Sequence, residues 1–223
     1  MKNSIIIAIV FVSQLAHSQV KKNVGEFDKV SVFDQISVTL VPSDEERIEI
    51  SGIRSDEVEV VNKNGELKIR MTFNKLLNGE EISAILYFKT LSRIDASEGS
   101  FIGCDKTIMQ GSIDVTAKEG GEVKLSLDVQ KADVKSVTGG IITLSGKSVN
   151  QHATIGTGGM LKAKALETLQ TTVSISAGGV ARVSASVLVD AKVTAGGTIT
   201  IYGKPKRIEQ KVTLGGTVES APE

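Results

Sequence analysis

The stretch Ser136 to Gly146, SVTGGIITLSG, is a short strand, a glycine pair and a second short strand. The pair returns as Gly120-Gly121, Gly139-Gly140, Gly158-Gly159, Gly178-Gly179, Gly196-Gly197 and Gly215-Gly216, in steps of 19, 19, 20, 18 and 19 residues. Counted from the first glycine of each pair, the flanking positions fall into columns. Val115, Val134, Ala153, Val173 and Ala191 stand five residues before it, and Val123, Ile142, Leu161, Ala181 and Ile199 three after. The residues between these columns are mostly polar. Such period-2 alternation on both sides of a turn signals half-buried strands.

An internal repeat of this length means that one unit cannot bury its own apolar face, whereas stacked units close a continuous core. Glycine suits the corner of such a coil because it accepts positive φ. A glycine column also lets successive coils approach closely. The pattern therefore predicts an all-β fold, a right-handed parallel β-helix of about 19-residue coils. The alternative is an antiparallel β-sandwich or prism, in which the glycine pairs would be hairpin turns.

Before the repeat the texture differs. KVSVFDQISVTLV and RIEISGI alternate apolar and polar residues, and VEVVNKNGELKIRMTF is two such runs joined at Asn64-Gly65, a strong hairpin signal. Residues 19–90 are read as an antiparallel β region that caps one end of the stack, and 91–223 as the glycine-paired coils. Together, 19–223 form one continuous domain. Leu76 and Leu77, at the tip of a loop, are expected to fold back onto the sheet.

The chain of 223 residues opens with MKNSIIIAIVFVSQLAHSQ. A basic start, a short apolar run and small residues at Ala16 and Ser18 describe a secretory signal peptide over residues 1–18. The run is too short to span a bilayer, so no transmembrane segment is expected after signal removal. The protein is expected to be exported, to the periplasm, the cell surface or the medium.

Twenty-six basic and 26 acidic residues cancel, which excludes a global field toward nucleic acid. Aromatic residues make up only 4%, so the rings that stack on sugars and bases are scarce. Cys104 is the only cysteine, which excludes an intramolecular disulfide and reads as a buried small hydrophobe.

The order of these segments resembles a known family, the auto-transporter adhesin head GIN domain of Bacteroidetes envelope proteins. The resemblance is carried by FDKVSVFDQISVTLVPSDEERIEISG, VEVVNKNGELKIRM, SRIDASEGS, VTGGIITLSGKS and TITIYGKPKRIEQKVTLGGTV, over about residues 25 to 218. It implies a β-helical secreted or surface module. Relatives usually carry an acidic residue after the turn glycines; here only Glu122 does.

Catalytic constellations are lacking. After the leader, His152 is the sole histidine, with no nucleophile elbow near it. No zinc, calcium or phosphate-loop spacing occurs, so no metal or cofactor is expected. The acids of the repeat mostly fall in different columns, so no stacked acidic cleft is expected for sugar hydrolysis.

One surface feature repeats. Lys124, Thr143, Lys162, Arg182 and Thr200, four residues after the first glycine, form one outward row. This row is the candidate ligand-binding face, for an anionic glycan or an envelope surface protein. The sequence thus points to a non-enzymatic binding or adhesion module of a bacterial envelope. Two alternatives stand beside it. One is a polysaccharide-acting enzyme on the same fold. The other is a structural protein that forms homo-oligomers through an open solenoid end.

Overall fold

The computed structural model describes residues 19–222, so the expected signal peptide lies outside the described residues. Eight short strands come first: β1 (Gln19–Asn23), β2 (Lys29–Val32), β3 (Ser37–Pro42), β4 (Arg47–Ser51), β5 (Val58–Lys63), β6 (Glu66–Met71), β7 (Ser83–Phe88) and β8 (Arg93–Ala96). Five long bent strands follow: β9 (Phe101–Ala117), β10 (Glu122–Ser136), β11 (Ile141–Ile155), β12 (Gly159–Ala177) and β13 (Gly179–Ala195). The last are β14 (Thr198–Tyr202), β15 (Arg207–Val212) and β16 (Thr217–Ser220). The result is a parallel β-solenoid of about seven turns with about 19-residue spacing and antiparallel N-terminal strands. The sandwich and prism are thereby excluded, because β9 to β13 pair parallel, each with the next.

The apolar columns stack as the repeat requires. One runs Ile94, Val115, Val134, Ala153, Val173, Ala191 through paired neighbours, and every member is buried. A second runs Ile102, Val123, Ile142, Leu161, Ala181, Ile199, with no exposed surface at all. Each buried Val, Ile or Leu contributes roughly 1.5–3 kcal/mol relative to exposure, so the columns dominate the stability of the repeat.

The two glycines of a pair do different work. Gly158 has φ +73°, next to Thr157 in the same region, and a Cβ there would meet nothing within 4 Å. Gly159 has no unusual φ, but a Cβ on it would lie 2.1 Å from the carbonyl oxygen of Ser136 in the coil before. The first glycine turns the corner; the second lets one coil seat on the next.

The N-terminal third joins the same stack by a different route. β2 pairs parallel with both β6 and β8, and β3 with both β7 and β9. The coil formed by β2 and β3 is therefore sandwiched between the later coil β6–β7 and the coil that starts with β8. The antiparallel strands are those that close this end: β5 on β6, β4 on β7, and β1 on β4. Parallel and antiparallel half-buried strands share one alternation, which is why the sequence pattern did not separate the two kinds here. Asn64 and Gly65 both have positive φ between β5 and β6, as the hairpin signal required.

Asp34 locks this threaded region. It is 1% exposed; its Oδ2 accepts from the Met71 backbone N–H at 3.0 Å and its Oδ1 from that of Leu77 at 2.9 Å. That second bond, with Leu77 at φ +60°, holds the loop tip outward. Leu76 and Leu77 are consequently exposed rather than folded onto the sheet. On the outermost wall, Lys21 pairs with Glu49 at 3.2 Å, Glu49 with Arg47, and the Arg47 guanidinium lies 3.6 Å from the centre of the Tyr87 ring. Arg47 and Lys21 together hold the Glu49 carboxyl below its ordinary range.

Candidate functional site

Alternation fixes which side chains leave the solenoid. With Val123 and Leu125 turned inward, Lys124 must point out, and parallel register repeats this in every coil. The pairing Lys124, Thr143, Lys162, Arg182, Thr200, Glu219 is continuous from β10 to β16. Neighbouring members are separated by one inter-strand spacing, about 4.8 Å.

The first four of these residues line an open groove of about 460 Å³. Lys164 lies on the same groove, as does Asp105. Four cations thus face one acid. Among the described residues none of the four has an ion-pair partner. Thr200 continues the row outside the groove, where its hydroxyl donates to Glu219 Oε1 at 3.3 Å. The row therefore turns acidic toward the last coil.

Lys164 was not in the sequence-derived row. It enters through a bulge: Thr143 pairs with Lys162 but Ser145 with Ala165, so β12 carries one extra residue at this point. The step of 20 residues from Gly158 to Gly178 is the trace of that insertion in the sequence. A similar irregularity lies between Lys124 and Ser126 opposite β9, where the longer β9 segment brings Cys104 and Asp105 to the groove. Cys104 is buried; its Sγ lies 3.2 Å from the Lys106 carbonyl oxygen, and burial pushes its thiol pKa up.

A second groove, of about 560 Å³, runs along another side of the same coils. Asp128, Lys147 and Glu167 are paired across it in one row. Counted from the glycine pairs, Asp128 and Glu167 fall in different columns; the structure brings them into one row with Lys147 between them. The same bulge slides Glu167, rather than Leu166, into register with Lys147. Glycosidases place two carboxylates on either side of the scissile bond; here a lysine stands between them.

Beneath this groove the interior is partly polar. The Thr168 and Thr171 hydroxyls lie 2.8 Å apart, Thr168 donates to the Ser184 carbonyl at 2.7 Å, and Thr171 reaches Gln151 at 3.4 Å. His152 is exposed, 3.7 Å from Asp133, which Lys131 also engages at 2.7 Å. Among the described residues no group of three His, Cys, Asp or Glu is placed to hold a metal ion, and no helix is long and apolar enough to cross a membrane.

The described residues thus form a parallel β-solenoid with a basic groove along one wall. The chain belongs to the family described as "Putative auto-transporter adhesin, head GIN domain", which matches residues 26–205. A solved structure titled a putative adhesin from Bacteroides fragilis is similar at 20% identity and TM-score 0.85, over 93% of this chain and 98% of that one. Two structures from Parabacteroides are similar over 92% of this chain and 96% of theirs. One, titled a putative lipid binding protein from P. distasonis, has 14% identity and TM-score 0.69. The other, titled a putative adhesin from P. merdae, has 18% identity and TM-score 0.66. These likenesses establish the shared fold. No curated protein matches the chain.

Proposed function

We propose that the protein is a non-enzymatic adhesion module of a bacterial envelope or surface, and that it holds an anionic glycan along the row Lys124, Thr143, Lys162 and Arg182. The observation that carries this reading is the groove of unpaired cations, four against one acid, on a rigid sheet. Cations one or two coil spacings apart match a linear polyanion better than a compact ligand. Arg182 adds a planar fork for carboxylate or sulfate. Thr200 serves as the neutral end of the row. The family description and the adhesin titles of the similar structures support the class of activity. A second reading, self-association through the last coil, is favoured by the edges of β15 and β16 that are unpaired among the described residues.

A glycan array probed with residues 19–223 at low and moderate salt tests the first reading. Acidic glycans should be retained, with signal falling as salt screens the exposed charges. The triple variant Lys124→Ser, Lys162→Ser, Arg182→Ser should lose at least about tenfold in affinity, since three charge-assisted contacts vanish. Equal binding by the triple variant would remove the groove as the site.

A further inference from the structure

The two ends of the solenoid are finished differently. At the N-terminal end, β6 and β7 are each covered by an antiparallel strand. At the other end β15 pairs only with β13 and β16 only with β14 among the described residues, leaving one edge of each unpaired. All six residues of β15 are exposed. The interior columns stop here: Ile208 follows Val189, and Val212 follows Val193, at 39% and 44% exposure, with Leu214 beyond them at 74%.

Such an edge usually carries a blunting device: a proline, a bulge, an inward charge or charged side chains. β15 has only the last of these, Arg207, Glu209 and Lys211. Its sequence is RIEQKV, and its register against β13 is uninterrupted from Leu188–Arg207 to Val193–Val212. Its inward-facing residues are Ile208, Gln210 and Val212. The outward ones are Arg207, Glu209 and Lys211; within the chain Arg207 pairs with Glu209 at 2.5 Å, and Glu209 and Lys211 carry opposite charges.

This order is self-complementary. If a second β15 runs antiparallel with Gln210 opposite Gln210 of the second copy, Ile208 faces the copy's Val212 and Glu209 faces its Lys211. The two apolar pairs meet on the core side and the two charge pairs on the solvent side, the cross-strand pairings that stabilise antiparallel sheets. Gln210 then lies on the twofold axis, where two amides can satisfy each other and fix the register. The N-terminal end covers β6 and β7 each with an antiparallel strand, and this pairing gives β15 an antiparallel neighbour in the same manner.

We propose that the protein forms a tail-to-tail dimer by antiparallel pairing of β15 with β15 of a second copy about Gln210. The dimer rests on the self-association reading above and is independent of what the basic groove binds. In it each copy contributes one basic groove, which doubles valency for a repeating surface.

Sedimentation equilibrium of residues 19–223 across a wide concentration range tests this directly. The wild type should show a reversible monomer–dimer equilibrium. Glu209→Lys or Lys211→Glu alone places like charges opposite each other twice and should weaken the dimer by about a hundredfold or more. The double variant Glu209→Lys/Lys211→Glu restores opposite charges across the axis and should recover the dimer to within about tenfold of wild type. Circular dichroism confirms that each variant keeps its fold, which is expected because both side chains are exposed. A wild type that stays monomeric, single reversals that dimerise like wild type, or a double variant that stays dissociated would each overturn the proposal.

Discussion

The N-terminal third and the glycine-paired coils build the same parallel wall from opposite ingredients. In the repeat, each coil stacks on its sequence neighbour, and the corner is made by a residue of positive φ followed by a glycine without side-chain room. In the N-terminal third the stacking order departs from chain order. The coil β2–β3 is covered by β6–β7, with Lys29 paired to Glu66 and Ser37 to Ser83, and its corner at Asp34-Gln35 contains no glycine. There a buried carboxylate is added to a close backbone seat: Asp34 accepts two hydrogen bonds from the covering coil, and a Cβ on Gly79 of that coil would lie 2.3 Å from the Asp34 carbonyl oxygen. A parallel stack therefore needs a corner solution and a column of apolar residues. It does not need a repeat.

If that contrast is right, the largest single loss should come from the seat of a glycine corner. Gly159→Ala forces a Cβ against the Ser136 carbonyl and should cost about 3 kcal/mol, read as a fall in denaturant midpoint at unchanged m. Next comes the carboxylate lock. Asp34→Ala strands two N–H donors and should cost about 2 kcal/mol, whereas Asp34→Asn keeps an acceptor and should cost less. Hydrogen exchange should then rise first in β6 and the loop to β7, not in β10 to β12. Gly158→Ala meets open space and strains only φ, so about 1 kcal/mol is expected. A Gly158→Ala loss as large as that of Gly159→Ala would erase the division of labour within the pair.

The smallest effect is electrostatic. Burial raises the Glu98 carboxyl above its ordinary range, and the neighbouring Asp34 and Glu119 carboxyls raise it further. A raised acid weakens the fold while ionised, and the penalty disappears as pH falls through the folded-state pKa. Glu98→Gln should therefore stabilise at pH 7 by about 0.5 kcal/mol, an effect limited by solvent screening. The gain should vanish below the usual glutamate range. A gain that persists in acid would mean that packing, not charge, is the cause. This corner of stacked acids belongs to the threaded region and its junction with the repeat; Thr138 and Thr157 occupy the equivalent turn positions further along.

Much of the geometry of the candidate row was legible in the sequence. The row Lys124, Thr143, Lys162, Arg182, Thr200 follows from counting outward positions from each glycine pair, because strand alternation and parallel register are both rigid rules. Lys164 was not, since a bulge breaks the count by one residue. The alignment of Asp128 with Lys147 and Glu167 was hidden for the same reason. The 20-residue step marked the position of an insertion but not which side chain it would turn outward.

The sequence alone determined the coil length, the apolar columns and the stacking of coils in chain order over the repeat, because these depend on local periodicity repeated many times. Tertiary structure decided the rest. It chose which N-terminal strands joined the parallel wall and which closed it, since both kinds alternate alike. It divided the roles of the paired glycines, since only a neighbouring coil supplies the carbonyl that excludes a Cβ. It also left the last coil with an edge unpaired among the described residues, because an edge is defined by what lies beside a strand and not by the residues within it.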